Sequence, residues 1–183
     1  MLRVSLNLGG GGFGMRDVAS RETRIVPISE KHIESFHKCL DAVARERLYL
    51  VFIEAPPLES TREFVLPNIA RGVPQYVAVS GGEVIGWCDI TPLRLEGFTH
   101  CGRLGMGVHR DYRGRGLGHR LVTQTIAKAK EKGLEQIELE VFASNTPAIK
   151  LYEKVGFVVE GVKEKARKLD GVYDDILEMA LFI

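Results

Sequence analysis

Residues 112–121 read YRGRGLGHRL, a stretch in which glycines stand at every second position among cationic side chains. Glycine reaches positive φ and lets a backbone approach a ligand closely, and arginine offers permanently charged, planar N–H donors. The stretch follows a strand-like alternation of Leu104, Met106 and Val108 and precedes an amphipathic helical pattern. Because a helix N-terminus carries unpaired N–H groups and the positive end of the helix dipole, this position predicts an anion-binding loop.

Two other interpretations of the glycines are open at this point. The loop at 113–118 is compatible with a plain turn whose arginines are solvated. A second cluster, GGGGFG at 9–14, satisfies the G-x-G-x-x-G pattern, but residues 15–23 carry no apolar helical face to follow it. We therefore expect residues 1–20 to form a flexible, glycine-rich extension and residues 21–183 to form the folded domain.

The composition limits the class of protein. The chain has 183 residues, 45% of them hydrophobic, and a formal net charge of +1, which predicts one domain without bulk attraction to nucleic acid or membrane surfaces. The three cysteines lack Cys-x-x-Cys spacing, so we expect no disulfide framework and no metal. We expect the protein in the cytoplasm, without nucleic-acid or membrane partners. A homodimer is the oligomeric state considered.

Strand and helix patterns alternate along the chain and predict an α/β (α+β) fold. Residues 48–59 form an apolar, proline-broken connection to a second helix, which Pro67 should kink or end. Thr146 and Pro147 suit the cap and first turn of a short helix, and Asp170-Gly171 suits a hairpin turn. The predicted strands are 24–28, 75–79, 83–91, 103–108 and 135–142, with helices after Ser29, from about 117 to Gly133, and from Thr146 to Gly156.

A second stretch, LEVFASNTPAIKLYEKVGF at 139–157, begins within the predicted strand 135–142 and continues through the predicted helix from Thr146 to Gly156. Together with the glycine loop it resembles the GNAT superfamily of N-acetyltransferases, over about residues 23–183. The family's Arg/Gln-x-x-Gly-x-Gly/Ala loop is matched by Arg113, Gly116 and Gly118, and its Asn-x-x-Ala-x-x-x-Tyr-x-x-x-Gly-Phe pattern by Asn145, Ala148, Tyr152, Gly156 and Phe157. The second stretch is most similar to ribosomal-protein-alanine N-acetyltransferases, whereas EGVKEKARKLDGVYDD also resembles small-molecule amine acetyltransferases.

The resemblance implies one domain with a mixed, mostly antiparallel sheet of about six to seven strands flanked by helices. It also implies acetyl-coenzyme A as co-substrate, with its pyrophosphate on the backbone N–H groups of the loop, its pantetheine arm along the preceding strand, and Asn145 opposite. The implied cofactor-binding residues are Met106, Val108, Arg113, Gly114, Arg115, Gly116, Leu117, Gly118, His119 and Asn145.

Acetyl transfer to an amine requires a proton acceptor, because an ammonium ion cannot attack a thioester. Glu140 is the predicted base, since its side chain points opposite to Leu139 and Val141 toward a cleft; a solvated strand face shared with Glu138 is the alternative. Tyr152 holds the family position of the acid that protonates the leaving thiolate, although spacing alone, which continues an apolar helix face, favours core packing. A backbone N–H near Val108 is expected to meet the developing oxyanion.

The acceptor is predicted to be a small-molecule or peptide amine. The candidate residues that select it are Phe52, Glu54, Trp87 and Asp89, whose apolar and acidic side chains suit a cationic amine beside an apolar group. The rival classes are a non-catalytic acyl-coenzyme A sensor and a nucleic-acid-binding module using the arginines of 103–120. A nucleophilic thiol at Cys101 beside His100 is a further alternative.

Overall fold

The computed structural model describes residues 22–183, so the predicted extension at 1–20 and the GGGGFG cluster lie outside the described residues. The elements follow in the order β1 (Arg24–Pro27), α1 (Ile33–Ala44), α2 (Leu58–Arg71), β2 (Gln75–Ser80), β3 (Glu83–Pro92), β4 (Cys101–Val108), α3 (Leu117–Glu131), β5 (Gln136–Phe142), α4 (Thr146–Val155), β6 (Val158–Leu169) and β7 (Val172–Phe182). Short 3₁₀ turns at Glu30–His32 and Arg110–Tyr112 precede α1 and α3.

The seven strands form one sheet in the order β1-β2-β3-β4-β5-β7-β6. The neighbouring strands pair antiparallel except for β4 and β5, which are parallel. This confirms the predicted mixed, mostly antiparallel sheet of about six to seven strands. Asp170 and Gly171 both have positive φ, 50° and 82°, which is the conformation of a tight hairpin turn and confirms the turn predicted between the last two strands.

Alternating side chains divide the core between the two faces of the sheet. On β3, Trp87 packs with α1 and α2 against Phe36 and Val65. Its neighbours Cys88 and Ile90 point to the opposite face, where α3 and α4 cover the larger apolar cluster. Because side chains of a strand alternate between faces, Asp89 lies on the α1/α2 face beside Trp87.

Two local predictions are corrected. Pro67 does not end α2, since the helix continues through it to Arg71. Val65, two residues earlier, is fully buried, and packing of a buried face stabilises a helix that lacks one backbone hydrogen bond. The N-cap of α4 is Asn145 and not Thr146, because the Asn145 side chain accepts a hydrogen bond from the Ala148 N–H at 3.4 Å.

The parallel contact between β4 and β5 is short. Only Cys101–Arg103 pairs with Gln136–Glu138, although β4 continues to Val108 and β5 to Phe142. Residues 104–108 pair with β3 on one side, and on the other side no strand within residues 22–183 pairs with them. The separation of the two strands opens the sheet at its centre and creates the space in which the candidate site lies.

Candidate active site

A cleft of about 930 Å³ occupies the gap between β4 and β5 and continues over both faces of the sheet. Of the predicted site residues, those that line it are Phe52, Trp87, Asp89, Met106, Val108, Arg113, Gly114, Leu117, Gly118, His119, Glu140, Asn145 and Tyr152. Arg115, Gly116 and Glu54 do not line it. The structure therefore brings together residues from β3, β4, β5, α3, α4 and the loop before α2, which are remote from one another in sequence.

The glycine loop ends at the N-terminus of α3. Gly114 and Gly116 both have φ of +73°, and a Cβ placed on either would meet no atom within 4 Å. Their conformation requires glycine, and their surroundings are open to a ligand. The first intrahelical bond runs from the Arg120 N–H to the Gly116 carbonyl, so the N–H groups of residues 117–119 are those that a helix leaves unpaired.

Arg113 lines the cleft, but its guanidinium is already engaged by the protein. Its Nε donates to the Val108 carbonyl at 2.8 Å, and its two terminal nitrogens contact both carboxylate oxygens of Glu46 at 2.8 and 2.5 Å. The group also lies over the Tyr49 ring at 4.7 Å. This side chain ties the loop to β4 and to Glu46, which follows α1, and its N–H donors are occupied within the protein.

The residues expected along the cofactor arm form the adjacent wall. A Cβ on Gly118 would lie 3.1 Å from Leu151 and 3.5 Å from Met106, so the absence of a side chain here allows α3, α4 and β4 to approach closely. Val108 and Met106 belong to the part of β4 without a β5 partner. An open glycine cradle, free helix N–H groups and an unpaired strand edge together fit a linear ligand that ends in a pyrophosphate.

Tyr152 contributes the α4 side of the cleft. Its ring is buried, 6% exposed, and packs edge-to-face on Phe157 with 5.7 Å between ring centroids. Burial raises the pKa of the Tyr152 phenol well above its ordinary value, so the hydroxyl stays protonated at neutral pH. Tyr152 therefore belongs to the buried apolar cluster and also lines the cleft.

Glu140 lines the cleft from β5 with a partly exposed side chain. Its carboxylate accepts a hydrogen bond from Lys163 Nζ at 2.9 Å, and the same ammonium contacts Glu178 at 2.7 Å. The Lys163 ammonium on β6 therefore balances the charge of Glu140. The sequence alone does not predict this ion pair.

The acceptor candidates separate into two groups. Phe52, Trp87 and Asp89 line the cleft, whereas Glu54 lies outside it, exposed and 3.5 Å from Arg45. Asp89 is 8% exposed, and its carboxylate receives one long hydrogen bond, from the Thr91 hydroxyl at 3.4 Å. Burial raises the pKa of Asp89 to about 7, and the Thr91 hydrogen bond opposes this rise.

Three features of the site were missed by sequence reasoning. Arg103 lines the cleft from β4, and Glu46 holds Arg113 from 67 positions away in the chain. Gly105 and Gly107 lie opposite Asp89 and Trp87 in the register of β3 and β4. On β4, Arg103, Gly105 and Gly107 alternate with the apolar residues Leu104, Met106 and Val108. This alternation indicates a second functional face of the strand, because small residues leave room for large side chains on the neighbouring strand.

The alternative chemistry at Cys101 is not supported by its surroundings. The thiol is buried, burial raises its pKa, and its hydrogen bond goes to Gln136 Oε1 at 3.6 Å. Cys101 is absent from the lining of the cleft. Within residues 22–183, no cluster of histidine, cysteine and carboxylate side chains has the proximity to hold a metal ion.

Comparison with known proteins supplies the class of this protein. The acetyltransferase (GNAT) family matches residues 40–157, and the chain belongs to this family. Membership confirms the predicted fold and the predicted enzyme class, acetyl-coenzyme A-dependent N-acetyl transfer.

Individual relatives are similar over most of the domain. The L-amino acid N-acetyltransferase AaaT of Escherichia coli is 34% identical over 110 residues, which cover 60% of this chain and 68% of that protein. The L-methionine sulfoximine/L-methionine sulfone acetyltransferase of Pseudomonas aeruginosa is 30% identical over 134 residues, covering 72% of this chain and 78% of the relative. The ribosomal-protein-alanine N-acetyltransferase of Brucella melitensis shares the fold, with a TM-score of 0.81 at 24% identity over 87% of this chain and 99% of that one.

Proposed function

We propose that this protein transfers the acetyl group of acetyl-coenzyme A to the α-amine of a free amino acid or a similarly small amino-acid-like compound. The observation that carries the proposal is the cleft where the glycine loop, Tyr152 and two charged side chains of opposite sign meet. Relatives that acetylate amino acids, at 30% identity or more, support a small acceptor over a protein N-terminus.

The loop residues are assigned to the cofactor. The backbone N–H groups of Leu117, Gly118 and His119 would bind the pyrophosphate, with Gly114 and Gly116 keeping the approach free of side chains. Arg113 would hold the loop in place through Glu46. When bound, acetyl-coenzyme A supplies the acetyl group as an activated thioester.

The acceptor side of the cleft combines an apolar wall with two isolated charges. Asp89 on β3 and Arg103 on β4 lie on the same face of the sheet, because Asp89 pairs with Gly105 and Thr91 pairs with Arg103. Within residues 22–183 neither of these two side chains forms an ion pair. An amino acid presents an ammonium and a carboxylate a few atoms apart, and these groups would complement Asp89 and Arg103 while an apolar side chain contacts Phe52 or Trp87.

Tyr152 is assigned to the departing sulfur. Its buried hydroxyl, which keeps its proton at neutral pH, would donate a hydrogen bond to the sulfur as negative charge develops there. Tyr152→Phe should lower kcat by about 10- to 100-fold with little change in KM, since an interaction made only in the transition state is lost. An unchanged kcat would assign Tyr152 to packing alone.

Calorimetric titration with acetyl-coenzyme A tests the cofactor assignment, with NAD and a short RNA as controls. Wild type should bind acetyl-coenzyme A alone with micromolar Kd, and Gly116→Asp should lose binding because it adds a negative, strained side chain to the cradle. Failure of wild type to bind would refute the transferase proposal, and binding without any acetyl transfer would indicate an acyl-coenzyme A sensor.

A panel of acceptors tests the substrate class. Free L-amino acids, their methyl esters and amino-terminal peptides should differ in kcat/KM, with the free acids best. Arg103→Gln should remove the preference for a free carboxylate over the methyl ester, and a preference for peptides would favour protein N-termini. We expect the reaction to take place in the cytoplasm. Separately, none of the helices described in residues 22–183 has the length and hydrophobicity of a membrane-spanning segment.

A further inference from the structure

Asp89 is the one buried carboxylate among the cleft-lining residues described. Burial of an anion costs free energy unless a cation or several hydrogen bonds compensate it. Here the compensation is a single 3.4 Å hydrogen bond from Thr91, and no basic side chain of residues 22–183 forms an ion pair with Asp89. Such a group is typical of a site that receives a cation or a proton.

The position of Asp89 places it at the end of the cleft remote from the glycine loop. It lies opposite Gly105, and a Cβ on Gly105 would stand 3.5 Å from both carboxylate oxygens. Gly105 is three residues before Val108, about 10 Å along an extended strand. On β3 the two neighbouring positions of this face hold the neutral residues Trp87 and Thr91, and the cation on this face of β4 is Arg103, opposite Thr91.

We propose that Asp89, and not Glu140, binds the ammonium of the acceptor and accepts its proton. Glu140 is already paired with Lys163 at 2.9 Å, whereas Asp89 is free to take a proton from a ligand. This inference rests on the proposed transferase function and adds the residue that activates its nucleophile.

Asp89, Tyr152 and solvent together account for both protons that the acceptor ammonium loses. The acceptor ammonium gives one proton to Asp89, and the resulting amine nitrogen forms a bond to the acetyl carbon. The carbon–sulfur bond breaks with its electron pair on sulfur, and the second proton of the nitrogen goes to that sulfur through the Tyr152 hydroxyl. Asp89 then releases its proton to solvent. A carboxylate with a pKa of about 7 suits this cycle, because a base is most effective near the working pH.

The test compares pH profiles of kcat/KM for the acceptor in wild type, Asp89→Asn, Thr91→Val and Glu140→Gln. The other titratable or charged side chains that line the cleft are Tyr49, Arg103, Tyr112, Arg113, His119, Glu140 and Tyr152. A rise of kcat/KM near pH 7, the neutral limb of the profile, is assigned to Asp89 by its loss in Asp89→Asn and by its constancy between acceptors of different amine pKa.

We expect Asp89→Asn to lower kcat/KM by about 100-fold or more, as for loss of a general base, and to abolish the rise of activity through pH 7. Acetyl-coenzyme A should bind Asp89→Asn with a Kd within about threefold of wild type, since the cradle is at the other end of the cleft. Thr91→Val keeps Asp89 but removes the hydrogen bond that lowers its pKa, and should move the limb to higher pH. Glu140→Gln should retain the limb.

A second measurement requires neither bound acetyl-coenzyme A nor turnover. In protein without cofactor, labelled with ¹³C at aspartate carboxyls, one resonance should titrate near pH 7, vanish in Asp89→Asn and shift when an amino acid acceptor is added. The inference is overturned if Asp89→Asn keeps wild-type kcat/KM within threefold, or if Glu140→Gln loses the limb while Asp89→Asn keeps it. Failure of the proposed function would be distinct, because wild type would then bind no acetyl-coenzyme A whatever the carboxyl titration shows.

Discussion

Asp89 should make this protein less stable at alkaline than at acidic pH, and Asp89→Asn should remove that dependence. The rise of the Asp89 pKa from its ordinary 3.8 to about 7 means that the folded protein binds this proton more tightly than the unfolded chain. The sign follows from linkage: the folded state is favoured below pH 3.8, loses stability as pH rises from about 4 to 7, and then levels off.

The magnitude follows from the same two values. A tenfold change in an acid dissociation constant corresponds to about 1.4 kcal/mol, so the ionised carboxylate costs up to about 4 kcal/mol above pH 7. Asparagine has the same shape without the charge. We therefore expect Asp89→Asn to be more stable than wild type by about 2 to 4 kcal/mol at pH 8, and to match it near pH 4.

Urea unfolding of cofactor-free wild type and Asp89→Asn between pH 4 and 8 measures this difference directly. Other titrating groups cancel in the comparison of the two proteins. Asp170→Asn is the control, since Asp170 is exposed in a turn beside Arg47 and should change stability by less than about 0.5 kcal/mol. A stability difference between Asp89→Asn and wild type that does not vary with pH would refute the view of Asp89 as a buried, proton-binding carboxyl.

Two further substitutions test how the cleft is held together. Glu46→Gln should raise the Kd for acetyl-coenzyme A about tenfold, since it breaks the paired contact that fixes Arg113 and with it the loop. Calorimetry measures this Kd, and an unchanged value would mean that the glycines alone determine the conformation of the loop. Gly107→Ala should destabilise the protein by about 1 to 3 kcal/mol, since its Cβ would lie 2.3–2.8 Å from the Trp87 ring. Gly105→Ala, whose Cβ meets only ordinary 3.5 Å contacts, is the matched control in the same unfolding assay, and equal effects of the two alanines would contradict the packing of Trp87 on Gly107.

The fold and the glycine loop are determined largely by local sequence. Strand alternation, the helix pattern after Gly116 and the turn at Asp170-Gly171 are each set by residues close in the chain. Glycines at 114 and 116 must be glycine because their backbone φ is +73°, and this requirement is visible in the sequence. The match of two motifs in order then identified the family.

Contacts between residues distant in sequence determine the burial and the charge pairing of the side chains in the cleft. Whether Asp89 or Glu140 is a free carboxylate depends on Lys163 of β6 reaching Glu140, and on α1 and α2 covering Asp89. The partner of Arg113 is Glu46, a residue of another segment. Burial, charge pairing and pKa depend on which groups become neighbours after folding. The sequence by itself therefore determined the fold and the glycine loop, and only the tertiary structure distinguished the two carboxylates.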